Sequence, residues 1–300
     1  MKLGVIVPQG WTGEYTGWDP AAAWRRTVEV ARRADSMGFD SIWLFDHFHT
    51  TPDPTDAIVF ESFTSLTALA TATERVRLGH IVSCASYRNP ALVAKMVSTM
   101  DVISSGRMTL GIGAGWKEEE WLAYGYEFPD ARTRLRQLED AVEIARRMFG
   151  TGRATYDGQM SMVRGAINEP KPLQQPRVPI MIGGNGQNVT WRLAARLADE
   201  LNLDSMSPDD VRSGLPVLRQ RCEEVGRDPA TLPVSVHMWR KDPERNRREP
   251  LGELLAEFQE LGISRVMALL PDVEQSDEPL HEYAELGSAA GAELGNLVTA

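Results

Sequence analysis

Short runs of β-branched and other apolar residues alternate along this chain with longer stretches whose apolar positions recur every three or four residues. The first pattern predicts strands and the second amphipathic helices, and their steady alternation marks repeated βα units around a parallel sheet. Residues 3–7 predict the first strand. Residues 20–37 follow as a helix, with Ala23, Val30, Ala31 and Ala34 on one face and Gly38 as its stop. Strands are expected next at residues 41–45, 76–82 and 108–112, separated by helices over 61–73 and 90–104 and followed by one over 132–149. In the second half the pattern predicts strands at 179–182, 201–203, 234–237 and 266–269. The helices there fall at 189–197, 208–225, 251–261 and 278–294.

Eight strands with eight helices suit a closed ring better than an open sheet. The expected fold is α/β, a single (β/α)8 TIM barrel with residues 1–300 as one domain. Two stretches interrupt the rhythm. Residues 154–168, after the fourth helix, predict a small inserted hairpin around Asp157-Gly158, and residues 240–250 read as a charged surface loop.

Composition changes this picture little. Apolar residues make up 42% and charged residues 25% of the 300, enough for a large core without disulfide staples. The acidic excess, 42 residues against 32, gives a net charge of −10 and argues against nucleic acid or an anionic membrane as a partner. Cys84 and Cys222 lack metal-ligand spacing and are expected to be free thiols in a reducing cytoplasm. The opening residues lack a signal-peptide pattern, and no stretch approaches the ~20 apolar residues of a membrane span. A cytoplasmic location is expected.

Barrel chemistry sits at the C-terminal ends of the strands, so the residues just beyond each one matter most. After the second strand come Asp46, His47 and Phe48, and after the third Ser83 and Cys84. Gly113, Ala114, Gly115 and Trp116 follow the fourth, and Gly183, Gly184, Asn185, Gly186 and Gln187 the fifth. The last group joins a strand to a helix, where backbone N–H groups and the helix N-terminus suit a phosphate. Neither glycine run is a dinucleotide fingerprint, because Trp116 and Val189 stand where the last small residue belongs.

His47 is the candidate for proton transfer, with Asp46 as a hydrogen-bond acceptor. Metal binding by His47 and His49, extended to His237 and His80, is the metallohydrolase alternative, but the fifth and eighth strands supply no matching ligand. A merely structural polar corner is the other alternative. Trp11 and Trp116 are placed to line a pocket for an aromatic ligand. No Gly-x-Ser-x-Gly elbow is present. Glu118, Glu119 and Glu120 read as the acidic first turn of a helix.

Three segments in this order, GFDSIWLFDHF, the long run from ERVRLGHIVSCASYRNP to EEEWLAYGYEFP, and PIMIGGNG, resemble the luciferase-like monooxygenase family. The likeness is strongest to its branch using the deazaflavin coenzyme F420. It implies a hydride-transfer site with an isoalloxazine-like ring at the barrel mouth. By motif position Asp46 would contact the ring or its side chain, and His47 would donate or accept the proton. Ser83 or Cys84 would touch the polar ring edge, and a non-prolyl cis peptide near Ile81 and Val82 would lie behind it. Ala114, Gly115 and Glu119 would line the ribityl and phosphate path, with Gly183, Gly184, Gly186 and Gln187 around the phosphate. Three departures stand out, one of them Asp199-Glu200 in place of the usual Asp-Gly-aromatic run after the fifth helix. His80 replaces a small polar residue and joins Trp11 and Trp116 as a candidate pocket residue. Trp116 also stands where sugar-phosphate dehydrogenases of the family carry an acidic catalytic residue.

The resemblance therefore implies F420-dependent oxidoreduction of a small organic substrate, in a homodimer. The alternative is an FMN-dependent monooxygenase supplied with reduced flavin by a separate reductase. A flavin-binding protein without turnover is a third reading. The glutamate-bearing tail of the deazaflavin would favour basic residues near the entrance, for which Arg88 and Arg192 are candidates.

Overall fold

Successive residues of a strand face opposite sides of its sheet, and here that parity divides the apolar residues into two sets. Leu3, Val5, Ile42, Leu44, Ile180, Ile182, Val266 and Ala268 belong to the layer between the strands and the surrounding helices. Ile6, Trp43, Met181, Met267 and Leu269 form a second cluster that fills the space enclosed by the strands. Two cores separated by a ring of strands require a closed barrel.

The computed structural model describes residues 1–239 and 250–295. In chain order the strands are β1 (Lys2–Ile6), β2 (Ser41–Leu44), β3 (Arg77–His80), β4 (Ser83–Cys84), β5 (Met108–Gly113) and β6 (Ala154–Asp157). There follow β7 (Met162–Ala166), β8 (Ile180–Gly183), β9 (Glu200–Asp204), β10 (Val234–Trp239) and β11 (Arg265–Leu269). The helices of the first half are α1 (Pro20–Ser36), α2 (Ser62–Ala72), α3 (Pro90–Ile103), α4 (Glu118–Ala123) and α5 (Ala131–Phe149). Those of the second are α6 (Thr190–Leu197), α7 (Pro208–Glu224), α8 (Leu251–Glu260) and α9 (Glu278–Ala289).

Parallel pairings run in the order β3, β2, β1, β11, β10, β9, β8, β5, and a β3–β5 pairing closes the ring. The short β4 continues the line of β3 and pairs with the end of β5. Between them the Ile81–Val82 peptide bond is cis, as the family resemblance implied. β6 and β7 form the expected hairpin after α5.

Local chemistry sets the helix starts. Asp19 caps α1 and Asn89 caps α3, each followed by a proline at the first helical position, and Ser207 with Asp210 forms a capping box on α7. These starts lie on the side of the barrel where the strands end, so helix N-termini surround the mouth.

Three expectations change. The third strand stops at His80 rather than residue 82, and pairing with β5 resumes at Ser83. The last helix ends at Ala289, short of 294. The helix start expected at Glu118, Glu119 and Glu120 opens α4, which adds a short helix to the eight expected. Of the charged loop expected at 240–250, residues 240–249 lie outside the described residues.

Candidate active site

A cavity of about 400 Å³ opens at the strand ends, and Asp46, His47, Ile81, Ser83, Cys84, Ala114, Gly115, Trp116, Gly183 and Gly184 all line it. Four strand ends, separated by up to 138 positions of sequence, are thus brought together.

His47 stands on the cavity wall with its imidazole held on two sides. The Trp11 indole stacks on it at 4.7 Å with the planes 10° apart, and Trp116 meets it edge-on at 5.7 Å. Its Nδ1 lies 2.7 Å from Oε2 of Glu120, whose side chain is wholly buried. A carboxylate only accepts, so Nδ1 carries the hydrogen and Nε2 is left for the cavity. Glu120 also accepts at Oε1 from the backbone N–H groups of Phe48 and His49, both at 2.9 Å, and at Oε2 from the Tyr87 hydroxyl at 3.3 Å. Burial alone would raise its pKa. The hydrogen bond and charge of His47, with the backbone donors, outweigh burial and hold the carboxyl below its ordinary value.

The partnership depends on α4. Lys117 donates to the Thr50 carbonyl at 2.7 Å, tying the start of this helix to the loop after β2. Sequence reading took Glu120 for a helix-start acid. It lies 73 residues from His47, and no local pattern signals the contact.

Other expected residues have different duties. Asp46 lines the wall, but Arg88 holds its carboxylate in two hydrogen bonds of 2.8 and 3.0 Å, joined by Ser62 at 2.8 Å and the Cys84 N–H at 3.0 Å. Burial opposes ionisation there, and Arg88 overcomes it to hold the pKa below its ordinary value. Arg88 also binds Glu61, so it is a structural cation and not the free entrance base expected. The Ser83 hydroxyl donates to the Gly111 carbonyl at 2.9 Å. Burial pushes the Cys84 thiol up to about 12, leaving it neutral.

Two expected pocket residues stand off the wall. Trp11 is fully buried beneath His47. His80 shares strand parity with Leu78 and faces outward, its ring stacked 4.0 Å from that of Phe63. Glu119 is half-exposed and paired at 3.1 Å with Lys117, which lines the cavity where Glu119 itself does not. Gly186 and Gln187 lie just beyond the lining, at the start of α6.

On the far wall the sequence pointed only to His237, as a ligand in the metallohydrolase alternative. His237 joins Asn202 through Nδ1 at 2.7 Å and Asp204 through Nε2 at 3.2 Å, beside Trp239. The Asn202 amide donates to Ser235, which orients its oxygen toward the imidazole. Among the described residues no group of three or more His, Cys, Asp or Glu side chains could hold a metal ion.

The cavity suits a flat ring carrying a phosphate. Its volume lies within the ~300–1,000 Å³ usual for small-molecule sites. Gly113 and Gly183 press against Val82, and a Cβ on either would come within 2.6 or 2.8 Å of that side chain. The glycines thus keep the slot smooth against an apolar back wall. At its edge, the N–H groups of residues 185–190 have no acceptor among the described residues. Gly184 adopts a φ of 137°, a conformation closed to most side chains.

A parallel barrel with a glycine-lined cavity and a histidine–carboxylate pair at its strand ends has the layout of an enzyme active site for a small molecule. The chain belongs to the luciferase-like monooxygenase family, whose model matches residues 1–293. It is 28% identical over 278 residues to an uncharacterized protein of Mycobacterium tuberculosis, covering 87% of this chain and 90% of that one. It is 33% identical over 220 residues to the F420-dependent glucose-6-phosphate dehydrogenase of Kineococcus radiotolerans, covering 71% of this chain and 63% of the relative. Among solved structures it resembles an F420-dependent secondary alcohol dehydrogenase, with a TM-score of 0.79 and 21% identity over 96% of this chain and 98% of the other. It also resembles the FMN-bound type II Baeyer-Villiger monooxygenase of Pseudomonas putida, with a TM-score of 0.74 and 16% identity over 99% of both chains. At these identities the structural likenesses establish the fold. No helix among the described residues is long and apolar enough to cross a membrane.

Proposed function

We propose that this chain is a coenzyme F420-dependent oxidoreductase acting on a small organic substrate, with His47 handling the proton that accompanies hydride transfer. Family membership makes it an F420- or flavin-dependent oxidoreductase. The F420 reading is supported by its similarity to relatives named for that coenzyme.

When bound, the deazaflavin supplies a two-electron hydride couple and leaves the protein to orient the reactants and move a proton. The glycine-lined slot between β5 and β8 would hold the ring against Ile81 and Val82, and the N–H groups at the start of α6 would hold the phosphate. The observation that carries the proton assignment is the Glu120–His47 pair. Glu120 fixes the imidazole tautomer, so Nε2 is the atom available to a substrate oxygen or nitrogen. Substrate would occupy the remaining space between Trp116 and the wall formed by His237 and Trp239. Trp116 replaces the acid of sugar-phosphate dehydrogenases, so the proposed substrate is not a sugar phosphate.

Titrations with F420 and with FMN, followed by fluorescence, test the cofactor, and F420 should bind more tightly. His47→Asn and Glu120→Gln should then leave F420 affinity within a few-fold while turnover falls, by roughly 10²–10⁴-fold for the first and less for the second. Glu120→Gln should also displace the pH–rate profile, which a purely structural role would leave in place. Retained turnover in a folded His47→Asn variant would remove His47 from the mechanism.

A further inference from the structure

Leu201 and Leu203 of β9 and Val234, Val236 and Met238 of β10 pack outward, so the residues alternating with them face the barrel interior. There the strand register sets Ser235 beside Asn202 and His237 beside Asp204. The Ser235 hydroxyl donates to Sδ of Met181 at 3.9 Å, and its oxygen accepts from the Asn202 amide nitrogen at 3.0 Å. That turns the Asn202 oxygen toward His237, whose Nδ1 donates to it at 2.7 Å. Nε2 is thereby aimed at Oδ1 of Asp204, 3.2 Å away. A carboxylate only accepts, so this contact is a hydrogen bond when the imidazole carries both protons. Asn202 and Ser235 are fully buried, and each link fixes the direction of the next.

The series ends at the Asp204 carboxylate, on the cavity wall. Its side chain is 29% exposed, against 12% or less for Asp46, His47, Lys117 and His237, which line the same cavity. Asp46 is gripped by Arg88, and Lys117 donates to the Thr50 carbonyl and pairs with Glu119. Asp204 meets His237 through Oδ1, and a carboxylate accepts at about four positions, so it can take a further donor. The surface beside it is apolar, formed by Trp239 against the His237 ring and by Phe45, which neighbours His237 at 6.3 Å and His47 at 6.4 Å.

We infer that Asp204 determines substrate specificity by accepting a hydrogen bond from a hydroxyl or N–H group of the substrate, and that His237 is the positioning residue that holds its carboxylate. The inference rests on the placement of substrate in the proposed function and deepens it by naming a substrate class. The substrate carries a hydrogen-bond donor across an apolar span from the atom served by His47. Molecules with a carboxylate or phosphate at that point are rejected, because the Asp204 charge repels them.

The test uses the protein loaded with F420, or with FMN should it take only that. Three probes are titrated by ligand-observed NMR: benzyl alcohol, its isomer anisole, which accepts but cannot donate, and benzoate. Wild type should bind the alcohol about tenfold more tightly than anisole, and benzoate most weakly. Asp204→Leu should bring the alcohol down to the affinity of anisole, while anisole itself stays within about twofold, which doubles as the check on folding. If that variant does not fold, Asp204→Asn is measured. It keeps an acceptor without the charge, so it should retain part of the preference for the alcohol and bind benzoate about as well as anisole. His237→Leu should cost the alcohol roughly three- to fivefold. His237→Gln, whose amide can still donate to Asp204, should restore most of that loss, which a packing role would not. No binding of the alcohol to wild type, or binding equal to that of anisole, overturns the inference. A preference that survives Asp204→Leu, or Asp204→Asn with benzoate still rejected, overturns it too and assigns the donor to Nε2 of His47. Loading by FMN alone overturns the F420 reading and leaves this test in force.

Discussion

His47 and His80 leave neighbouring strands, β2 and β3, and their surroundings put them to opposite uses. His47 faces the cavity with a carboxylate behind it. His80 faces α2, neither ring nitrogen has a hydrogen-bond partner, and burial lowers its pKa to about 4. Unfolded, a histidine takes its proton near 6.5. Between those values the unfolded chain binds more protons than the folded one, so stability falls as pH drops from 6.5 to about 4, by on the order of 3 kcal/mol. The buried carboxylates Asp46 and Glu120, held below their ordinary values, lose their contribution only at more acid pH. Denaturant titrations across this window should show the decline in wild type and a shallower one in His80→Phe, which keeps a ring against Phe63. Equal slopes would assign the acid sensitivity elsewhere.

Among the elements, the turn from β8 into α6 carries the most constrained backbone at the site. Gly184 donates to the Asn202 carbonyl at 3.0 Å, and Asn185 exchanges two hydrogen bonds with the Asp204 backbone. The loop is therefore laced to β9 before any ligand arrives. Gly184→Val places a branched side chain at a φ of 137°, where its Cβ would sit 3.3 Å from Thr190. The strain should cost about 1–3 kcal/mol of stability. Displaced phosphate donors should weaken the cofactor by a further 2–4 kcal/mol, roughly thirty- to a thousandfold. Melting temperature and cofactor titration read the two effects separately. Wild-type affinity in a folded variant would remove the phosphate from this loop.

At the scale of the whole molecule, ring closure is supported far from the chemistry. Arg265, the first residue of β11, binds Asp40 at 2.7 Å and Glu200 of β9 at 2.7 Å, while Lys2 of β1 reaches Asp40 at 3.0 Å. Burial works against the Arg265 charge, but the two acids outweigh it and raise its pKa. Arg265→Met would leave the largely buried Glu200 without its cation and Asp40 with Lys2 alone, at a cost of about 2–4 kcal/mol. The melting temperature should drop by several degrees while cofactor affinity stays constant, because these residues lie at the strand starts and the cavity at the strand ends. An unchanged melting temperature would show that hydrophobic packing alone holds this end of the barrel.

The eight barrel strands, their alternation with helices and the inserted hairpin were legible in the order of residues, because each depends on a period of two or of 3.6 that neighbours reveal. Strand ends rich in glycine, and His47 beside Asp46, were legible for the same reason. The partners of those residues were not. Asp46 looked like a ligand contact until Arg88, 42 positions away, occupied its carboxylate. Glu120 looked like a helix-start acid until α4 folded under the loop after β2 and placed it against His47. His80 looked like a pocket residue until its parity with Leu78 turned it outward against Phe63 of α2. Sequence alone determined which residues stand at the barrel mouth, since local periodicity governs strand direction and length. Only the tertiary structure decided which of them is free to act, because burial and charge pairing are set by residues distant along the chain.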